Sequence, residues 1–233
     1  MLKSKIAAAL LVGLSFTSVS QAASISYFLD QSDKLADGIN YLRVDINENA
    51  SGAIDFTVTA LQPLLDLAAE KGFGIVKFAF NAVPGVKLTP NKVDISSLPK
   101  GWVTGPHQTM AGFGKYDMRL RVTGDKTPLS DSISFSVIGI DFDTIASYVD
   151  LAINSVEGPS FFSARVAGLT LPCSESVGAR RNSQRRTASA STCKPTDAFF
   201  GGATVASVPA PAALWLLGTG LAGLAVRRLR KIA

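Results

Sequence analysis

The chain has few of the residue types that carry most enzymatic chemistry. Its 233 residues include one histidine, His107, and two cysteines, Cys173 and Cys193. A Ser–His–Asp triad would require His107, which lies in the turn-like sequence Gly-Pro-His-Gln, and no Gly-x-Ser-x-Gly motif is present. One histidine without a free thiolate is also too little for a zinc site. The sequence therefore predicts a protein that is not an enzyme and that holds neither a metal nor a cofactor.

Carboxylates are the only reactive groups in good supply, with 18 Asp and Glu residues. A glycoside hydrolase needs two of them at a fixed separation, and the sequence singles out no such pair. Two groups could offer oxygens to calcium, Asp30 with Asp33 and Asp37, and Asp141 with Asp143, but neither has the spacing of a recognised calcium loop. Solvated turn residues are the simpler interpretation, and a hydrolase and a calcium site stay open as alternatives.

The body of the chain has no excess of positive charge, although the whole sequence has a formal charge of +5. Six of the 23 basic residues lie in the first five and last seven residues, which leaves 17 against 18 acidic residues. Proteins that bind nucleic acid usually carry a clear basic excess in the binding domain. The composition therefore predicts no nucleic-acid partner.

Residues 1–22 have the three parts of a secretory signal peptide. Lys3 and Lys5 precede an apolar stretch, and the sequence Ser-Gln-Ala places small residues before the bond between Ala22 and Ala23. The apolar stretch is too short for a permanent membrane anchor. We therefore expect export through the Sec translocon and cleavage by signal peptidase after Ala22.

The two cysteines lie on either side of an unusual basic segment. An even pair in an exported protein predicts a disulfide between Cys173 and Cys193. Residues 174–194 have almost no apolar side chains, which indicates a flexible loop closed by that disulfide. Four arginines there could bind an acidic polysaccharide or phosphate, and a solvated loop without a ligand is the alternative: Arg180, Arg181, Arg185 and Arg186.

Short segments of alternating polar and apolar residues run through residues 23–205. The clearest are 41–47, 54–60, 75–81, 116–122, 133–138 and 161–166, separated by turn-like sequences. A period of two predicts strands with one buried and one solvated face. Residues 63–71 and 143–153 have weak helix signals. We predict a single mainly-β domain at 23–205, an antiparallel β-sandwich with one or two short helices.

Residues 206–233 combine prolines, an apolar run and a basic cluster. Residues 211–226 carry no charge and would span roughly 24 Å as a helix, slightly less than the hydrocarbon core of a bilayer. Four basic residues follow within 227–231. Basic flanks stay on the cytoplasmic side, so the body would lie outside the inner membrane. The sequence predicts a transmembrane helix at 211–226.

Three motifs follow one another in this tail. They are Val208-Pro209-Ala210-Pro211, a Leu-Gly-x-Gly-Leu core that contains Gly218 and Gly220, and an arginine cluster that begins with Arg227 and Arg228. Their order resembles the PEP-CTERM sorting signal. The resemblance implies recognition by exosortase, a membrane cysteine protease and transpeptidase of Gram-negative bacteria that make exopolysaccharide. The glutamate that gives this signal its name is Ala210 here, as in a proteobacterial subset of these tails.

The resemblance implies a protein held transiently in the inner membrane and then delivered to the cell surface or the extracellular matrix of a biofilm. We expect its body to be a structural or adhesive component associated with exopolysaccharide. A carbohydrate-binding module and a secreted polysaccharide hydrolase are the alternatives. Trp102, the one tryptophan outside the tail, could stack on a sugar or could equally lie in the core.

Overall fold

The computed structural model describes residues 24–124, 127–171 and 196–205, which contain twelve strands. Every strand pair is antiparallel. The strands are β1 (Ser24–Leu29), β2 (Gln31–Ser32), β3 (Leu42–Glu48), β4 (Ile54–Ala60), β5 (Gly74–Phe80), β6 (Val93–Asp94), β7 (Trp102–Met110), β8 (Gly114–Val122), β9 (Ser132–Val137), β10 (Phe162–Leu169), β11 (Thr196–Gly202) and β12 (Thr204–Val205).

The strands form two six-stranded sheets. The order in the first sheet is β12-β1-β3-β4-β9-β6, and in the second it is β2-β11-β10-β5-β8-β7. The chain passes from the first sheet to the second at Asp30, between β1 and β2, and returns at Ala203, between β11 and β12. The Thr204 hydroxyl donates to Asp30 Oδ2 at 2.8 Å, which ties these two crossings together. The two sheets are therefore joined along one side of the domain.

The inner faces of both sheets share one apolar core. Phe56 on the first sheet stacks on Phe135 with ring centroids 4.9 Å apart. It also lies 5.0 Å from Phe80 of the second sheet. Buried residues alternate with half-buried ones along β4, as the period of two predicts. The mainly-β prediction is confirmed, and two antiparallel sheets on a shared core are the layers that a β-sandwich requires.

Helices are few and shorter than the sequence signals indicated. The helix predicted at 63–71 is a single turn, α1 (Gln62–Leu65), and the one predicted at 143–153 is a 3-10 turn, Ile145–Tyr148. A second 3-10 turn spans Pro90–Lys92. After α1, the backbone N–H of Ala69 donates to Gly168 O at 2.8 Å instead of continuing a helix. Pairing with a strand therefore overrides weak local helix propensity.

Several predicted features lie outside the described residues. These are the signal peptide at 1–22, the disulfide and loop at 173–194, and the transmembrane helix at 211–226. They remain predictions. Within the described ranges, no helix is long and apolar enough to cross a membrane.

Candidate ligand-binding surface

Cationic side chains occupy three neighbouring strands of the second sheet. Arg121 on β8 lies opposite Lys77 on β5, and Lys77 lies opposite Arg165 on β10. These three residues are the basic row. Arg119 lies beside this row, two residues before Arg121 on β8. We call the four residues together the basic face. Long-range strand pairing therefore brings together four cations from three distant parts of the chain.

Strand alternation places the basic face on the outside of the sheet. Phe78, Leu120 and Val166, the neighbours of these cations on their strands, are completely buried in the core. Arg121 is exposed, and the other three cations are half-buried. Their aliphatic stems therefore cover the sheet, and the charged ends of the three half-buried cations are only partly in contact with solvent, with Nε of Arg119 and of Arg165 buried.

The charges of the basic face are poorly compensated among the described residues. Asp197 accepts a hydrogen bond from Arg165, whose guanidinium also lies 5.6 Å from the centre of the Phe199 ring. Within the same ranges, the structure shows no ion pair for the other three cations. The face thus carries four positive charges against one carboxylate.

The pKa of Lys77 lies below its ordinary value for two reasons. Partial burial lowers it most, and the positive charges of Arg165, Arg119 and Arg121 lower it further, while Asp197 opposes them. Burial and the neighbouring Arg121 likewise lower the pKa of Arg119. Titratable groups perturbed by both burial and like charges are common at functional sites. The direction of both shifts favours an anionic ligand, because an anion would stabilise the charged forms.

A small apolar cluster bounds the basic face on one side, and we call it the apolar wall. It consists of Met110, Phe113 and Tyr116 packed over Ala79, which lies opposite Arg119 in the sheet. The Tyr116 hydroxyl is buried and donates to Ser160 Oγ at 2.8 Å. The wall therefore stands beside the basic row as a fixed part of the domain.

Close packing against a glycine holds the wall down. Gly201 is on β11, and a Cβ atom there would lie 2.2 Å from Phe113 Cδ1. Such a distance is far below van der Waals contact, so a larger side chain would displace the Phe113 ring. Gly201 thus allows Phe113 to pack closely beside the basic face.

Trp102 lies in the core. Its side chain is 6% exposed and packs in the main apolar cluster. Of the two positions considered for Trp102, the core is therefore correct, and the prediction of an exposed sugar-stacking residue is wrong. Among the residues that the structure describes, Phe142 is the exposed aromatic, with a side chain that is 100% exposed on a loop and a φ of 62°. No sequence pattern pointed to Phe142, because exposure of a single loop residue depends on which strands surround it.

His107 lies within strand β7 and not in the turn that its neighbours predicted. It is exposed, with a φ of 48°, and lines a recess of about 340 Å³ together with Asn81, Asp117 and Asp150. Asn81 Oδ1 accepts from the Asp117 N–H at 2.8 Å, and Asp117 Oδ2 accepts from the Ala82 N–H at 3.1 Å. These contacts bind backbone groups, and no described hydroxyl or carboxylate hydrogen-bonds to His107.

The aspartates considered for calcium point to separate partners. Asp33 Oδ1 accepts from the Phe199 N–H at 2.8 Å, and Asp37 Oδ1 accepts from the Ser32 N–H at 3.0 Å. Asp143 accepts a hydrogen bond from the Tyr148 hydroxyl. In the part of the chain that the structure describes, no three His, Cys, Asp or Glu side chains are grouped to hold a metal ion.

The remaining predicted site residues lie outside the described ranges. They are the proposed cleavage site at Ala22 and Ala23, the cysteines Cys173 and Cys193, the loop arginines Arg180, Arg181, Arg185 and Arg186, and the motif residues Val208, Pro209, Ala210, Pro211, Gly218, Gly220, Arg227 and Arg228.

Comparison with known proteins identifies one region. Residues 207–231 match the PEP-CTERM protein-sorting motif, which covers all the motif residues predicted from the sequence. No curated protein and no solved structure matches the chain. The chain therefore carries a PEP-CTERM sorting motif, which indicates that it is an exported bacterial protein sorted to the surface with exosortase as its processing partner.

Proposed function

We propose that this protein is a non-enzymatic component of the cell surface or extracellular matrix and that its β domain binds an anionic exopolysaccharide through the basic face. The sorting motif supports export and handling by exosortase. The observation that carries the binding proposal is the basic row, in which Arg121, Lys77 and Arg165 occupy consecutive strands.

Anion binding follows from the chemistry of these side chains. Guanidinium groups bind carboxylates through two parallel hydrogen bonds, and charge-assisted hydrogen bonds are stronger than neutral ones. Burial and then the neighbouring cations lower the pKa of Lys77, and the negative charge of an acidic polymer would oppose both effects. Binding of an anion would thus offset part of the repulsion among these like charges.

The route to the matrix belongs to the same proposal. Residues 211–226 would hold the protein in the inner membrane of a Gram-negative bacterium with its body in the periplasm, until exosortase removes the tail. Intact mass spectrometry of matrix and membrane fractions tests this route. We expect a matrix species that lacks residues 1–22 and the apolar run. This species should be absent when exosortase is deleted. A membrane-held chain that ends at Ala233 would contradict the proposed processing.

Binding of the full chain to exopolysaccharide purified from an exosortase-positive host tests the basic face. The double variant Arg121→Gln, Lys77→Gln should bind at least about tenfold more weakly, because two charge-assisted contacts are lost. The control is Arg43→Gln, which removes an exposed cation from the outer face of the first sheet. Equal binding by the wild type and both variants would contradict the proposal.

Phe142 favours a second candidate function, binding of neutral sugar. Its ring is wholly exposed and lies between Asp141 and Asp143, and aromatic faces flanked by hydrogen-bond acceptors suit pyranose rings. In that case Phe142→Ala would reduce glycan binding that persists at high salt. The basic-face variants would leave such binding unchanged, which separates the two candidates.

A further inference from the structure

We infer that the ligand of the basic face is a linear polysaccharide with a carboxylate on each successive sugar unit, and that its chain lies across the strands. This inference rests on the proposed function and specifies its ligand. The register of the sheet carries it, because the three cations of the basic row occupy consecutive strands β8, β5 and β10.

The orientation follows from where the cations are placed. Neighbouring strands lie about 4.8 Å apart, so the basic row offers one cation at each such interval across the sheet. A ligand chain parallel to the strands would meet Arg121 and Arg119 on β8 and then the carboxylate of Asp117 on the same side of that strand. A chain across the strands meets all three members of the row.

The surroundings of the row favour the same direction. The row continues from Arg165 to Phe199 on β11 and from Arg121 to Val103 on β7, so apolar side chains extend it at both ends. The apolar wall, Met110, Phe113 and Tyr116, lies over the adjacent row that contains Ala79. A polymer beside this wall is guided along the row and not over it.

The interval between the cations selects the charge pattern of the ligand. A pyranose unit in an extended chain advances by a distance comparable to one strand spacing. A polymer with a carboxylate on every unit, in a chain conformation that presents successive carboxylates to the same side, can therefore place one carboxylate at each cation. A polymer with a carboxylate on alternate units can reach Arg121 and Arg165 but leaves Lys77 between them without a partner.

Calorimetry with the full chain and defined oligosaccharides tests this ligand class. The probes are hexamers of galacturonate, mannuronate and guluronate, with hyaluronate and chondroitin hexamers as the alternating comparison. We expect the best homouronate to bind about tenfold more tightly than either alternating polymer, since it makes one more charge-assisted contact. Shortening that homouronate from trimer to dimer should cost about the same factor.

The variant Lys77→Gln sharpens the test. Loss of the Lys77 charge should weaken homouronate binding to the affinity of the alternating polymers. The affinity of the alternating polymers should not change, because Arg121 and Arg165 remain. Arg43→Gln is the control and should change neither affinity. Equal affinity of the wild type for homouronate and alternating polymers would overturn this inference while leaving anionic polysaccharide binding intact. If the native exopolysaccharide does not bind either, the proposed function fails with it.

Discussion

The outer faces of the two sheets differ in whether their charged side chains have partners. On the first sheet, Asp45 accepts hydrogen bonds from Ser26 and from Arg43 Nε, the latter at 2.9 Å. Asp55 accepts from Asn49 Nδ2 at 3.0 Å and from Ser136 Oγ at 2.6 Å. Asp45 and Asp55 on this face therefore have hydrogen-bond partners on neighbouring side chains.

The second sheet leaves its charges open. Its basic face has four cations, and Asp197 is the one carboxylate that the described residues place against them. A face whose charged groups already have partners gains little from a ligand, whereas a face of uncompensated like charges gains from an anion. Local pairing, and not the number of charged residues, therefore distinguishes the outer face of the first sheet from the basic face.

The largest expected effect comes from the core that supports both faces. Phe56→Ala should destabilise the domain by about 3–5 kcal/mol, because it leaves a cavity between the two sheets. Phe142→Ala is the matched control and should change the free energy of unfolding by less than about 0.5 kcal/mol, since that ring is fully exposed. Urea unfolding followed by circular dichroism measures both. Equal costs for the two variants would mean that Phe56 does not join the sheets.

An intermediate effect on the free energy of unfolding should appear at alkaline pH. It should depend on the Tyr116 hydroxyl beside the basic face and not on the Thr57 hydroxyl on the first sheet. Burial raises the pKa of Tyr116 in the apolar wall well above its ordinary value of 10.0. The contribution of this phenol to stability is complete below pH 10. Above pH 10 it falls, by up to about 1.4 kcal/mol per pH unit, because the unfolded phenol ionises first.

Urea unfolding between pH 9 and pH 11 checks this dependence. Burial also raises the pKa of Tyr27, Tyr41 and Tyr148, so the wild type should lose stability steeply. Tyr116→Phe should make the decline shallower. Thr57→Val removes a hydroxyl from the first face that does not titrate, and it should leave the slope as in the wild type. An unchanged slope in Tyr116→Phe would argue against burial of that phenol.

The smallest effect has opposite signs on the two faces. Lys77→Met should stabilise the domain by about 0.2–1 kcal/mol, because it removes a cation that lies opposite two others. Arg43→Met should destabilise it by about 0.2–1 kcal/mol, because it breaks an exposed ion pair with Asp45. Thermal unfolding of both variants provides the comparison. The same sign for both would show that the two faces do not differ in charge compensation.

Sequence patterns located strands well where alternation was clean. The segment predicted at 54–60 is β4, and those at 75–81 and 116–122 overlap β5 and β8 closely. Strand β7 escaped prediction because Gly105 and Pro106 are typical of a turn. The structure accommodates this proline because β7 is an edge strand of the second sheet, where one side of the backbone needs no partner.

Only two of the four cations of the basic face could be placed together from the sequence. Alternation placed Arg119 and Arg121 on one face of a strand, but it could not show that Lys77 and Arg165 lie beside them. Those neighbours come from strand pairings over some 40 to 90 residues of chain, which the local period of two does not encode. The net charge of the body, close to zero, also concealed a concentration of cations on one face.

The linear sequence is sufficient to assign surface sorting, because the motif at 207–231 is a signal read by another protein. It also determined the mainly-β class, since the alternation of side chains is a property of the local backbone. Which charged side chains lack an oppositely charged partner depends on the folded domain. Charge compensation depends on the neighbours that strand pairing provides, and those neighbours are set by how two sheets bury a common core.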